Sequence, residues 1–273
     1  RAGRSLGNPK LDLNSLKKWF KSVYSHFENE GYFQEAFGKE CVDAGLIPGD
    51  LGEDIEGAVL LALWKDHLWP FYKNLDTYSE DDVFDMIEFF FDHISKPLNG
   101  DYHSWSGCGM HYSTFNRQEG QDEFRDKLNS VLKCYDDGFE LSEKGEILHL
   151  ADSGMDNLLK AELPRYDPDN IEKRIEPAIN LFRRHKSSFE DRKHALRELV
   201  DVLEYLRPKI RGIISKNDEA DLFNIANNFG IRHHNEKQKT NYDTAIWYSW
   251  MFYHYLATIH ACLRLIEKNE KSE

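Results

Sequence analysis

The chain has 273 residues and a net charge of −13, and 40% of its residues are hydrophobic. This composition excludes a disordered protein and suits one large globular domain or two ordinary ones. Residues 1–164 hold 16 Lys and Arg against 31 Asp and Glu, whereas residues 165–273 hold 19 against 17. The acidic first part excludes broad nonspecific nucleic-acid binding, but it leaves room for a local basic site in the second part.

The beginning of the sequence and its cysteines bear on the cellular compartment. Residues 1–10 (RAGRSLGNPK) are typical of a tag remnant or a frayed start, and the first twenty residues lack an apolar run. We therefore expect no signal peptide. Four cysteines are scattered without CxxC spacing, which is typical of reduced thiols, so we expect a cytoplasmic protein.

The first half of the chain predicts helices, a loop and a small hairpin. Pro70 is expected to interrupt the second helix, and Ser79 to cap the third. Residues 96–116 show neither helical nor strand periodicity and are rich in Gly and aromatic residues, so we expect an ordered loop there. Residues 138–150 predict a β-hairpin. The segments with helical spacing are 13–27, 53–69, 79–95 and 121–135.

Two prolines and little apolar content in residues 161–170 predict a domain boundary, giving domains 1–165 and 166–273. The second domain has only helical patterns. Pro208 is expected to kink or divide its long helix, and Asp243 to cap the last one. The predicted helices cover about 169–186, 188–214, 217–229 and 244–267. The fold class is therefore mainly α: a helical N-terminal domain with a small hairpin, then an up-and-down helical bundle.

The last predicted helix is long and apolar enough to raise the question of a membrane span. His254, His260 and Arg264 argue against one, so we expect no membrane association. Six large aromatic rings within nine positions surround this helix, more than one bundle face can bury, which predicts a homodimer through the C-terminal bundle. These rings are Trp247, Tyr248, Trp250, Phe252, Tyr253 and Tyr255.

One candidate metal site is His103, Cys108 and His111, which could supply three zinc ligands. A fourth ligand is not evident nearby, and the Gly and aromatic residues explain a structural loop without a metal. We therefore expect that this loop binds no metal and that the protein has no cofactor.

An acidic run follows the capping residue Ser79; it suits a helix N-terminus better than a metal site. It contains Glu80, Asp81, Asp82 and Asp85.

The most distinctive stretch is GIRHHNEKQKTNYD, residues 230–243. Arg232 can stabilise a pentacoordinate phosphate by forked hydrogen bonds. His233 and His234 titrate near neutrality, so they can take and give protons at a ribose 2′-OH and a leaving 5′-oxygen. The alternative interpretation is a polar loop that caps the last helix. In the first interpretation Asn235 orients the acid and base, Lys237 and Lys239 attract the RNA strand, and Asn228 also binds it.

Residues 165–273 resemble the HEPN superfamily, and more narrowly DLFNIANNFGIRHHNEKQKTNYDTAIWYSWMFYHYLATIHACLRLIE resembles the C-terminal domains of prokaryotic abortive-infection proteins. In the first half, YHSWSGCGMHYSTFN and DDGFELSEKGEILHL resemble the N-terminal domain of abortive-infection proteins of the AbiJ type. The resemblance implies metal-independent endoribonucleases that act as dimers in defence and toxin systems, with a partner protein or antitoxin in some cases.

The family motif is R-x4-6-H, and this sequence departs from it. Arg232 is followed at once by His233 and His234, and the next histidine is His254. Either Arg232 supplies the guanidinium in a compacted motif, or the activity is lost. On the strength of the resemblance, we expect a HEPN-type ribonuclease that leaves 2′,3′-cyclic phosphate ends. The alternatives are an inactive module that binds RNA or nucleotide, and a dimerisation module.

Overall fold

The computed structural model describes residues 10–152, 154–217, 219–220, 223 and 243–271. The chain divides into two compact units, with the division between His149 and Leu150. The described elements are helices and three separate two-stranded antiparallel sheets. The expectation of a mainly α fold is therefore confirmed.

The first unit is built around helices whose apolar faces meet in one aromatic core. Phe20, Tyr24 and Phe90 are almost fully buried there, and the Tyr24 and Phe90 ring centroids are 4.5 Å apart. Edge-on and tilted ring pairs of this kind add to the stabilisation from burial alone. The helices are α1 (Leu13–Asn29), α2 (Gln34–Phe37), α3 (Ile55–Leu63), α4 (Phe71–Asn74), α5 (Glu80–His93) and α6 (Arg117–Leu132).

Capping explains where α5 begins. Ser79 Oγ accepts a hydrogen bond from the backbone N–H of Asp82, and the Asp82 carboxylate accepts one from the backbone N–H of Ser79. This reciprocal pair satisfies two N–H groups that a helix leaves without partners. The interpretation of the acidic run as a helix N-terminus is confirmed, and Asp82 is a buried member of it.

Three hairpins accompany these helices. The predicted hairpin near 138–150 is confirmed as β5 and β6, with Phe139 opposite His149. A hairpin over 39–47 was not predicted, because its strands are only three residues long. The strands are β1 (Lys39–Cys41), β2 (Gly45–Ile47), β3 (Lys96–His103), β4 (Gly109–Asn116), β5 (Phe139–Leu141) and β6 (Ile147–His149).

Two predictions for the first unit are wrong. Residues 96–116 form the long hairpin β3–β4 and not a loop. The pairing depends on Gly100, because a Cβ there would lie 2.2 Å from the carbonyl oxygen of His111. The second predicted helix ends at Leu63, well before Pro70, since Trp64 takes a left-handed conformation with φ of 56°.

The described secondary-structure elements of the second unit are all helical. It starts earlier than the predicted boundary at 165/166, because Leu158, Leu159 and Leu163 pack against its core. Pro208 does not divide the long helix, since it lies in its last turn. The elements are α7 (Asp156–Leu159), a π-helical turn (Pro168–Glu172), α8 (Lys173–Arg183), α9 (Phe189–Ile210) and α10 (Thr244–Glu270). Both α8 and α10 pack on α9.

Helix α10 holds the aromatic rings that the sequence analysis singled out. Tyr248, Phe252 and Tyr255 are buried in the core of the second unit. Trp247 and Trp250 are 37% and 43% exposed, so the bundle buries only part of the aromatic set. Among the described helices, none is both long and apolar enough to cross a membrane.

Candidate functional site

The polar segment singled out by the sequence lies within residues 224–242, outside the described residues. The residues concerned are Asn228, Arg232, His233, His234, Asn235, Lys237 and Lys239. The last residue of the stretch, Asp243, is described: its Oδ1 accepts hydrogen bonds from the backbone N–H groups of Ala245 and Ile246, at 3.0 and 3.2 Å. The predicted cap of α10 is thus confirmed.

An open cleft of about 740 Å³ lies along the first half of α10. Trp250 stacks on His254, with ring centroids 5.2 Å apart and planes 10° from parallel. Asp152 accepts a hydrogen bond from Ser249 Oγ at 2.7 Å and lies at the same cleft. Burial lowers the pKa of the His254 imidazole, which favours its neutral form at neutral pH. The sequence placed His254 outside the motif and gave no sign of this cleft.

A second cluster lies in the first unit. Cys41, His103, Cys108 and His111 are half-buried, and one ligand atom from each lies within 4.8 Å of the other three. Cys41 Sγ is 3.8 Å from His103 Nδ1, and Cys108 Sγ is 3.0 Å from His111 Nε2. The expectation that no fourth candidate ligand lies near His103, Cys108 and His111 is therefore wrong, because Cys41, on the unpredicted β1–β2 hairpin, lies where it could supply one.

The backbone turn that follows Cys41 favours a negative charge on its sulfur. The turn after Cys41 leads to Gly45, which pairs with Cys41 across the hairpin and has φ of 73°. Backbone N–H groups of Asp43 and Ala44 donate hydrogen bonds to Cys41 Sγ, and these bonds lower the pKa of the thiol. A thiolate is the form of cysteine that binds a metal.

A carboxylate lies beside the ring nitrogen of His103 that faces away from Cys41. Its Nε2 lies 3.2 Å from Asp43 Oδ2, while Nδ1 faces Cys41. A carboxylate that accepts the Nε2–H hydrogen bond leaves Nδ1 with its lone pair free to coordinate. Asp43 thus lies where it can orient the imidazole.

Side chains of the first unit hold the two hairpins together. Lys39 Nζ donates a hydrogen bond to the backbone carbonyl of Met110 at 2.9 Å, and Gln34 Nε2 donates to the same carbonyl at 3.2 Å. Gln34 Oε1 also accepts from the backbone N–H of Tyr112 at 3.2 Å. Met110 lies between Cys108 and His111, so these contacts position both ligands relative to β1.

Comparison with protein-family models, with curated proteins and with solved structures found no match. The functional evidence is therefore the chemistry of the residue types in 228–239 and the geometry of the described side chains.

Proposed function

We propose that the chain is a HEPN-type, metal-independent endoribonuclease of a prokaryotic defence system, of the abortive-infection or toxin kind. The observation that carries the proposal is that Arg232, two histidines and two lysines directly precede the capped N-terminus of α10 in a helical unit. The N-terminus of a helix carries partial positive charge, and with these cations it favours a phosphate.

The proposed reaction needs only side chains. One of His233 and His234 takes the proton of the ribose 2′-OH, and the 2′-oxygen attacks the adjacent phosphorus. The bond from phosphorus to the 5′-oxygen breaks, and the other histidine gives that oxygen a proton. Arg232 stabilises the negative charge on the phosphate oxygens with two hydrogen bonds. Asn235 orients the histidines, and the products are a 2′,3′-cyclic phosphate and a free 5′-hydroxyl.

The proposed RNA contacts come from positively charged side chains and from exposed aromatic rings. In this proposal Lys237 and Lys239 attract the strand, and Asn228 also binds it. Downstream in α10, Trp247 lies outside the apolar stripe described below, is 37% exposed and forms a near-perpendicular pair with Trp250, with ring centroids 5.4 Å apart. Exposed rings of this kind stack on the bases of single-stranded nucleic acid without strong sequence preference. The proposed substrate is therefore single-stranded RNA.

The proposed enzyme acts as a homodimer through α10. The exposed side of this helix presents a mostly apolar stripe at helical spacing, and the residues of this stripe are Ile246, Trp250, Ala257, Ala261 and Leu265. Exposed apolar faces of this length are typical of protein interfaces. A separate partner protein or antitoxin, as the HEPN resemblance implies, would be a further binding partner.

The test is an RNA-cleavage assay in EDTA. A single-stranded RNA labelled at its 5′ end is incubated with the full chain, and the ends of the products are identified by mass spectrometry. We expect cleavage in EDTA with 2′,3′-cyclic phosphate ends, and no cleavage of the matching DNA, which lacks the 2′-OH. RNA that binds without being cut would instead favour a nonenzymatic RNA-binding module.

A further inference from the structure

We propose that Cys41, His103, Cys108 and His111 bind one zinc ion as a closed, four-coordinate structural site in the first unit. Two thiolates and two imidazoles are a ligand set that zinc prefers, and four protein ligands leave no position for a substrate. The site binds the metal and takes no part in the proposed RNA cleavage, so the two proposals stand or fall separately.

The distances fit a tetrahedral ion. With zinc bonds of about 2.3 Å to sulfur and about 2.0 Å to nitrogen, the ligand atoms of a tetrahedral site lie about 3.3–3.8 Å apart. Two of the four separations between Sγ and a ring nitrogen are 3.8 and 3.0 Å, and all six pairs lie within 4.8 Å. A pair at the 4.8 Å limit would have to close by about 1 Å for the four atoms to bind one ion.

The surroundings supply what zinc ligands need. Asp43 Oδ2 lies 3.2 Å from His103 Nε2, the position of the carboxylate partner of a metal-bound imidazole. The backbone N–H groups of Asp43 and Ala44 donate hydrogen bonds to Cys41 Sγ, as the peptide N–H groups around a metal-bound sulfur do. Binding exchanges the protons of the two thiols for the metal ion, so that two thiolates balance the 2+ charge and no oxidation occurs.

The site would have a structural role, because it links two hairpins that bury few apolar side chains of their own. Every residue of β2 is exposed, and within β1 only Lys39 and Cys41 are partly covered. Cys41 lies on that hairpin, whereas the other ligands lie on β3–β4 or on the turn between its strands. A metal that joins the two removes conformational freedom that apolar burial does not restrict here.

Elemental analysis of the full chain, with any affinity tag removed, tests the proposal. Protein dialysed against ZnCl2 and then against metal-free buffer is expected to hold about one zinc per chain. The C41S and C108S variants are expected to hold less than about a tenth of that amount, because each loses one of four ligands. C134S is the matched control, since Cys134 is a free cysteine outside the cluster, and it is expected to keep the zinc.

A second measurement does not depend on whether the variants fold. Parent protein loaded with CoCl2 is expected to show the intense visible absorption of a tetrahedral cobalt–thiolate site, and to lose it on addition of ZnCl2. Substoichiometric zinc after loading, or full zinc content in C108S, would overturn the proposal. So would the loss of two of the four thiols in unreduced, denatured protein, which would mean that Cys41 and Cys108 form a disulfide.

Discussion

The carboxylate of Asp43 and the imidazole of His103 form a pair, with Oδ2 3.2 Å from Nε2. The Asp43→Asn substitution keeps the size of the side chain but removes its charge and most of its basicity. If His103 binds zinc through Nδ1, we expect this substitution to weaken zinc affinity by about 10–100-fold, the usual effect of losing such a partner. Competition with a chromophoric chelator measures the affinity.

The matched control is Glu40→Gln, an identical change of charge on the same hairpin. Glu40 is exposed and neighbours Cys41 along the chain, so its variant is expected to bind zinc like the parent. Equal affinities for Asp43→Asn and Glu40→Gln would mean that Asp43 does not support the ligand.

A second prediction concerns stability and Asp82. Its carboxylate lies 2.5 Å from Lys65 Nζ and also serves the capping box of α5. We expect Asp82→Asn to lower the free energy of unfolding by about 1–2 kcal/mol, because the half-buried Lys65 charge loses one of its two carboxylate partners and keeps Asp85 at 2.9 Å. Urea denaturation measures the change. Asp126→Asn, at an exposed position of α6, is expected to change it by less than about 0.5 kcal/mol.

The same carboxylate predicts a pH dependence. Burial alone would raise the pKa of Asp82, but hydrogen bonds from Lys65, Ser79 and His67 outweigh it and hold the pKa well below its ordinary value of 3.8. A depressed folded-state pKa gives stability that is present above 3.8 and is lost as the pH falls below it. The difference between the parent and Asp82→Asn should therefore be constant near neutrality and shrink below about pH 4. A difference that grew on acidification would contradict this assignment.

Local chemistry made several features of the fold predictable. Ser79 and Asp243 start helices because their side chains accept hydrogen bonds from the first-turn N–H groups, a signal contained in a few adjacent residues. The buried face of α9 follows from its helical spacing in the same way. Such features need no knowledge of distant contacts.

The Cys/His cluster could not be predicted in the same way. Cys41 is 62 residues before His103 in the chain, and its hairpin is too short to show an alternating pattern. In β3–β4 the Gly residues suggested a loop, whereas Gly100 is there to let two backbones approach closely. The ligands meet only through these pairings. A useful signal would have been Cys41 followed by a turn ending in Gly45, since such turns direct N–H groups at a thiolate.

A third prediction tests the dimer. Trp250 is a large, partly exposed ring in the apolar stripe of α10, so Trp250→Ala should remove an interface anchor and raise the dimer dissociation constant by about 10–100-fold. Light scattering across a concentration series measures it. Trp19→Ala, at a 54% exposed ring of the first unit, should leave the constant unchanged. A parent protein that stays monomeric at high micromolar concentration would refute the dimer.

The last prediction concerns the chemistry proposed for Arg232. As phosphorus becomes pentacoordinate, negative charge gathers on oxygens that a guanidinium can meet with two parallel hydrogen bonds. Arg232→Ala is therefore expected to slow RNA cleavage by about 10²–10³-fold, the usual cost of losing one preorganised donor. Arg232→Lys should recover little, because an ammonium group cannot make the forked contact.

The control for this prediction is Arg165→Ala, at an exposed position of the same unit, which should cut RNA at the parent rate. Single-turnover rates with enzyme in excess separate chemistry from binding, and a filter-binding assay on the same variants measures RNA affinity. Weaker binding with an unchanged single-turnover rate would limit Arg232 to attracting the strand. If the Arg232→Ala and Arg165→Ala proteins both cut as fast as the parent, Arg232 takes no part in the mechanism. No other arginine lies within residues 224–242 to replace it.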